Sequence, residues 1–513
     1  MKNPFGASAL FRSALLMTGS TYVAYAAGLV INTLIARSLG PADYGRYAYL
    51  IWLSGVLVIL MNSGLTVSAI RFLSETLGRN DEDGTRRLHG WFKRLQRASI
   101  VIVGLLFLAC LPWLQPAGWA ADQLWLFGTV CLGASAAKAL YLFTISVGKG
   151  HGRFDIEARS MSLLSVLNLA LVGVMFALYD SLQGYLWLFL AISVAHPLLA
   201  LRQSRVAGIA SSHEPTDRSL LARVRPHLGW TVFSTFVYAF SNKSTETFLL
   251  NKLVSAEAVG FFVIAATLTR GGVELLSSGL STVLMPKMAN AFGEGGIGRV
   301  GQIASDSVRL FHFLGLLLAG VGLFWAGPVI HGMYGEGYAP ATLLLQVMVV
   351  VRGFTLSSAA VGALLSTTEH QRLRAAESVF TVTISVIAAL LLVPRWGLIG
   401  AVAAHAISTV SALSFALVCV RLALGIRMPY ADMARLAAAS LCAGALCLGL
   451  IALHPGLVTE VVAGVLYVVL YLLATLLFRV WNQHDMALLG ALTERVPALR
   501  NMPFRLVRWV RTV

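Results

Sequence analysis

Of 513 residues, 57% are apolar and only 12% charged, about half the ~25% charged share of a soluble globular domain, which excludes a single water-soluble core. The net charge of +16 would suit nucleic acid, but the Lys and Arg residues cluster in loops beside long apolar stretches, so the charge follows membrane topology and no nucleic-acid partner is expected. Cys110, Cys131, Cys419, Cys442 and Cys447 are scattered in apolar segments without metal-ligand spacing; they read as small buried hydrophobes, and neither metal, disulfide nor cofactor is expected.

A membrane-spanning helix needs about 20 mainly apolar residues. On that measure the chain predicts about 14 spans, roughly at 13–36, 45–70, 98–120, 123–147, 160–179, 184–201, 227–251, 259–284, 310–333, 340–366, 375–394, 397–420, 434–453 and 458–480. The first is long, has no evident cleavage site and is followed at once by another, so it is expected to stay as a helix. Long apolar runs, not alternating strands of ~10 residues, make the expected class an all-α polytopic membrane protein.

Of 39 Lys and Arg, 31 fall at the N-terminus, in every even-to-odd loop and in the C-terminal tail; the opposite loops hold only Arg37, Arg46, Lys252 and Arg395. The positive-inside rule then predicts both termini in the cytoplasm. Lys138, Lys243, Arg270 and Arg352 complete the set and fall within spans.

The window Val23–Leu65 recurs without a gap at Tyr238–Leu280, 215 positions later, with nine identities. Gly45 aligns with Gly260, Arg37 with Lys252, and Asn62-Ser63-Gly64-Leu65 with Ser277-Ser278-Gly279-Leu280. Further on, His151-Gly152-Arg153 matches His370-Gln371-Arg372 at an offset of 219. Six spans per copy is an even number, so the copies are expected to be parallel, related by an axis along the membrane normal. The expected organisation is a six-helix bundle over 1–201, a cytoplasmic linker over 202–226, a second six-helix bundle over 227–423, two additional helices over 424–480 without internal charge, and a basic tail over 481–513.

Two basic segments look amphipathic: Leu88, Trp91, Phe92 and Leu95 beside Arg86, Arg87, Lys93, Arg94 and Arg97, and the tail with Phe504, Arg505, Arg508, Trp509 and Arg511. Both suit an anionic inner-leaflet surface, the alternative being solvated basic loops that only fix topology.

A charge within a span costs roughly 2.5 to 3.5 kcal/mol on insertion scales, so it normally faces a cavity or a partner. The second repeat adds Lys243, Glu246, Arg270 and Glu274 where the first has Gly28, Ile31, Gly55 and Ile59. Thr267, Arg270, Glu274, Ser277 and Ser281 recur at intervals of three and four, which predicts one helical face. Thr18, Tyr22, Tyr25 and Asn32 form a comparable face in the first span. With Lys138, Arg352 and Asn62 these are the candidate lining of a central cavity between the halves. Lys243 with Glu246 and Arg270 with Glu274 are equally spaced for helix-stabilising ion pairs without a substrate role. Lys138 and Arg352 have no acidic residue within a helical turn, so the interior carries an excess of base, which favours an anionic substrate and, at arginine, phosphate geometry. Trp52, Trp113, Trp119 and Trp125 fit an interfacial belt more than sugar stacking. His196, His312 and His405 stand alone on apolar helices, where histidine is capable of proton coupling. No phosphate-binding Gly-rich loop occurs. The outer loops are too short for a domain with paired carboxylates, so a transporter, not an enzyme, is expected.

The stretch Ala36-Arg37-Ser38-Leu39-Gly40-Pro41-Ala42-Asp43-Tyr44-Gly45 with Asn62-Ser63-Gly64-Leu65, the Gly260 repeat, Gly397-Leu398-Ile399-Gly400 and the two extra C-terminal helices resemble the bacterial polysaccharide or O-antigen flippases of the multidrug/oligosaccharidyl-lipid/polysaccharide exporter superfamily. The resemblance runs through residue 480 and implies translocation of an undecaprenyl-diphosphate-linked oligosaccharide across the bacterial inner membrane by alternating access, for surface, exopolysaccharide or lipopolysaccharide synthesis. It also implies membrane lipids, a polysaccharide polymerase and a chain-length regulator as partners. A cation-coupled drug exporter of the same superfamily is the alternative, and a membrane polymerase or ligase comes third.

Overall fold

The computed structural model describes residues 7–119, 123–178, 181–241, 244–368 and 370–481. They form fifteen α-helices, and no strand occurs among the described residues: α1 Ala7–Asn62, α2 Leu65–Gly78, α3 Glu82–Leu114, α4 Leu124–Gly150, α5 Asp155–Leu178, α6 Leu182–Val206, α7 Arg218–Ser241, α8 Ser244–Leu253, α9 Ala256–Thr269, α10 Leu275–Tyr334, α11 Ala341–Phe354, α12 Ser358–Thr367, α13 Gln371–Leu424, α14 Tyr430–Leu453 and α15 Leu457–Leu477. A π-helical turn, Arg270–Glu274, joins α9 to α10. The protein is a multi-pass membrane protein. Ten helices among the described residues are long and apolar enough to cross a bilayer, eleven if the bent pair α11 and α12 counts as one. Two of them account for two predicted spans each: α1 breaks at Gly40 (φ 70°) and α13 at Gly397 (φ 55°), conformations that glycine adopts without a Cβ penalty. The seventh predicted span falls on α7 and α8, either side of residues 242–243.

The chain packs as two compact units, one of Met1–Val263 with Val382–His405, the other of Ile264–Thr381 with Ala406–Val513. These units are cut differently from the sequence repeat: α7, α8 and the start of α9 lie in the first unit with α1. There the repeat appears as a reciprocal contact. A Cβ on Gly45 would stand 1.8 Å from the Ala256 carbonyl oxygen, and one on Gly260 would stand 3.1 Å from the Pro41 carbonyl oxygen and 3.2 Å from the Gly45 Cα. Pro41 and Ala256 are themselves aligned in the two sequence windows, so each window's glycine lies against the corresponding backbone oxygen of the other.

The amphipathic stripe on α3 does not lie on lipid. Leu88 and Phe92 are fully buried with Phe72 and Leu73 of α2, Phe143 and Val147 of α4 and Val224 of α7, and Trp91 and Leu95 pack against the same cluster. The apolar face of α3 had a protein surface to cover, and burying it there leaves Arg86, Arg94 and Arg97 exposed and Arg87 and Lys93 half-buried. The tail over 482–513 lies outside the described residues.

In the second unit, Gly315 of α10 and Gly353 of α11 face each other so closely that a Cβ on either would meet the other's carbonyl oxygen, at 2.0 and 2.3 Å. Helix α15 is tied to α10 by tyrosines: Tyr467 donates to the Leu316 carbonyl (3.0 Å) and Tyr471 to that of Phe313 (3.3 Å). The last two helices do carry charge near their ends, contrary to expectation. Asp432 of α14 lies 3.7 Å from the buried Arg309 of α10 and 3.3 Å from Arg435, and Glu460 of α15 packs over Gly327.

Candidate functional site

Helix α4 is a long apolar helix with one basic residue in its middle, and it packs against α1 and α6. Below Lys138, Ser135 is hydrogen-bonded to Ser54 of α1 at 2.9 Å, which fixes the face that α4 turns inward. Lys138 itself is half-buried, with its Nζ 4.2 Å from the ring centre of Phe189 on α6. Phe189 is met edge-on by Tyr47 of α1 at 6.4 Å, and Tyr47 neighbours Tyr44 at 6.4 Å. The hydroxyl of Tyr44 donates to Asn32 Oδ1 (3.1 Å), and that of Tyr185 on α6 donates to Ser38 Oγ (3.0 Å). An ammonium is thus held over an aromatic face inside a cluster of tyrosines. Among the described residues no carboxylate is paired with it.

The magnitudes leave this cation short of compensation. Placing it in the span costs roughly 2.5 to 3.5 kcal/mol, and a desolvated cation–π contact returns about 2 kcal/mol.

The other sequence candidates are dispersed. Asn32 serves as acceptor to Tyr44, and Tyr25 is half-buried on the same helix. Asn62 is buried and turns its amide back to the Val58 carbonyl (2.9 Å), just before the left-handed pair Ser63 and Gly64 that ends α1, so it supports a helix break. Glu246 is buried at 1% exposure, and Ser385 of α13 donates to it at 2.9 Å. Its expected helix partner Lys243 lies outside the described residues. Arg270 is exposed and begins the π-helical turn that ends at Glu274, so the predicted single α-helical face over 267–281 is interrupted there. The side chain of Glu274 lies outside the described residues. Arg352 is half-buried in the last turn of α11, where a cation also complements the helix dipole.

Sequence reasoning missed the partners that come from afar, Phe189 under Lys138 and Ser385 on Glu246. It also counted Arg309 as a loop base, whereas it is buried in α10 between Asp306 (3.5 Å) and Asp432; Asp306 three residues earlier was the available signal. Arg46, expected in an outer loop, pairs with Asp43 (2.8 Å) and donates to the Ala117 and Gly118 carbonyls, while Asn251 bonds Ala117 and Gln115 of the same loop. His196 is turned to the Ile192 carbonyl at 2.8 Å and packs edge-on against Tyr141. Trp113 and Trp125 are 73% and 62% exposed, as a lipid-facing belt requires, whereas Trp52 packs on Tyr49.

The fold is shared with known transporters. A structure of the lipid II flippase MurJ in an inward closed conformation matches with a TM-score of 0.71 at 13% identity, covering 90% of this chain and 98% of that one. An inward-facing multidrug resistance MATE family transporter of the MOP superfamily matches with 0.65 at 14% identity, over 78% and 94%. A Vibrio cholerae MATE transporter, VcmN, gives 0.56 at 16% identity, over 80% and 96%. No curated protein matches the chain in sequence. A family model described as polysaccharide biosynthesis protein matches residues 10–292, more than half of the 513, and the chain belongs to that family.

Proposed function

We propose that the protein is a flippase that moves an undecaprenyl-diphosphate-linked oligosaccharide from the cytoplasmic to the outer leaflet of the bacterial inner membrane. The observation that carries this reading is Lys138: a cation held over Phe189 among tyrosines, undercompensated and in a family of polysaccharide biosynthesis. A diphosphate supplies the missing charge at the ammonium. The likeness to a lipid II flippase supports a lipid-linked substrate. Arg270 and Arg352, in the second unit, are separately proposed to contact the substrate, and a polymerase and chain-length regulator would act on the product outside.

Deleting the gene is expected to make a lipid-linked glycan accumulate, identified by thin-layer chromatography, and Lys138→Ala should reproduce it with near-normal protein abundance. A charge-assisted contact is worth about 1.5 to 3 kcal/mol, so export should fall roughly ten- to a hundredfold. Export at the wild-type rate in Lys138→Ala sinks the cationic-site reading. Glu246, buried in the first unit, is the observation favouring a cation-coupled exporter instead. In that case Glu246→Gln would abolish drug efflux, while deletion would leave lipid-linked glycans unchanged. Orientation is tested separately: reporters fused after residues 82, 214 and 490 should be active only in the cytoplasm, and an externally active fusion at 214 would overturn the six-plus-six arrangement.

A further inference from the structure

At the end of the first unit that carries basic loops, α3, α4 and α6 enclose a cavity of about 660 Å³, in the range of small-molecule sites. Its two ends differ in chemistry. Lys93 and Arg97, one turn apart on α3, and Arg205 in the last turn of α6 line one end; Ile100 and Val101 of α3, Leu140 of α4 and Leu201 of α6 line the other. On α3 the bases precede the apolar pair, and on α6 Leu201 precedes the base. The two helices run oppositely, so bases and apolar residues fall at matching levels.

The three bases are close enough that Arg97 and Arg205 both act on Lys93 as like charges. Among the described residues no carboxylate lines the cavity or pairs with any of them. Other bases of the same helix do have partners: Arg86 meets Glu82 at 3.5 Å and Arg87 meets Glu214 at 2.9 Å. Like charges gathered without a counter-ion repel one another until an anion joins them.

The roof is fixed. The linker after α6 crosses α3 so tightly that a Cβ on Gly90 would lie 1.8 Å from the Ser212 carbonyl oxygen. There the Ser212 amide donates to the Arg86 carbonyl (2.9 Å), and His89 Nδ1 bonds the Ala210 carbonyl (3.0 Å). The cavity is therefore preformed, which lowers the ordering cost of binding. Its apolar end opens sideways, with Val101 58% exposed.

We propose that this cavity binds one anionic glycerophospholipid of the adjacent leaflet, its phosphate among Lys93, Arg97 and Arg205 and an acyl chain along Val101, Leu140 and Leu201. Bases at the water boundary above an apolar wall repeat the order of headgroup over acyl chain in a bilayer. The site is separate from Lys138 and holds whatever substrate is transported.

Native mass spectrometry of the purified full-length protein with equal phosphatidylglycerol and phosphatidylcholine tests it. The protein should retain one phosphatidylglycerol in preference. Lys93→Gln with Arg97→Gln should weaken that binding about 25-fold, each base near an anionic lipid contributing about fivefold. The charge-matched Arg86→Gln with Arg94→Gln should leave it unchanged. Val101→Trp, at a half-exposed position with all charges kept, should lose the lipid by filling the apolar end. Equal weakening in both double variants, undiminished binding in Lys93→Gln with Arg97→Gln, or retention by Val101→Trp would each overturn the proposal. So would undecaprenyl diphosphate displacing phosphatidylglycerol from the site when added at a tenth of its amount, because the cavity would then belong to a polyprenyl lipid.

Discussion

Two segments that occupy the same place in the repeat have taken different backbones. Gly55 to Ile59 continues α1 as regular α-helix, with Leu57 and Val58 buried. Its counterpart, Arg270 to Glu274, is a π-helical turn with Arg270 exposed and Val273 buried. The sequences explain much of the difference. Val56 and Leu57 are replaced by Gly271 and Gly272, and glycine gives up about 1 kcal/mol of helix preference relative to alanine at each position. The two charges came with a backbone that can widen. Single π-turns in α-helices concentrate at functional sites, so this segment of the second copy differs from its regular counterpart in both charge and backbone.

The largest effect expected is on Arg270. If its guanidinium holds the diphosphate, Arg270→Ala should lower export ten- to a hundredfold, Glu274→Gln should fold normally, and the double variant should stay inactive even at full abundance. If the two only neutralise each other, either single variant strands a charge and loses abundance, and the double variant recovers both abundance and export. Membrane abundance and surface glycan measured on the three variants decide, and recovery of export in the double variant rules out phosphate binding by Arg270.

Next in size is the contact where the copies remain alike. Gly45→Ala places a methyl 1.8 Å from a backbone oxygen, whereas Gly260→Ala meets its neighbours at 3.1 to 3.3 Å. Overpacking costs about 1 to 3 kcal/mol, and more when backbone must move, so Gly45→Ala should lie at or above the top of that range and Gly260→Ala at the bottom. Thermal unfolding of the detergent-purified variants checks the order. Equal losses would mean that the close approach is not where the copies are held.

Much of the scaffold was readable because a membrane helix must satisfy its backbone locally, which leaves long apolar runs in the sequence. Gly45 and Gly260 were legible for a related reason: a close backbone approach admits no side chain in either copy. The site was less so. Phe189 lies under Lys138 through packing of α6 on α4, and Ser385 reaches Glu246 from 139 residues away, neither of which any local pattern encodes. Residues 267–281 fit an α-helical period, yet the π-turn shifts that period within them. The stripe on α3 had the composition of a lipid-facing helix, but burial against α2, α4 and α7 satisfied it first.

The smallest effect is the most diagnostic of the backbone difference. At Gly272 a Cβ would meet nothing within 4 Å, and the same holds at Gly55, so neither Gly→Ala change carries a steric cost. Gly55→Ala sits in regular helix, where the gain is about 0.5 to 1 kcal/mol with export unchanged. Gly272→Ala strengthens the α-helical alternative by a similar amount, and so works against the π-turn. If that turn sets the direction of Arg270, Gly272→Ala should lower export severalfold while the thermal midpoint holds or rises. Stability and transport would then move in opposite directions in the second copy alone. Export equal to wild type in both variants would mean that the π-turn is only a by-product of two glycines, and that the charges, not the backbone, distinguish the copies.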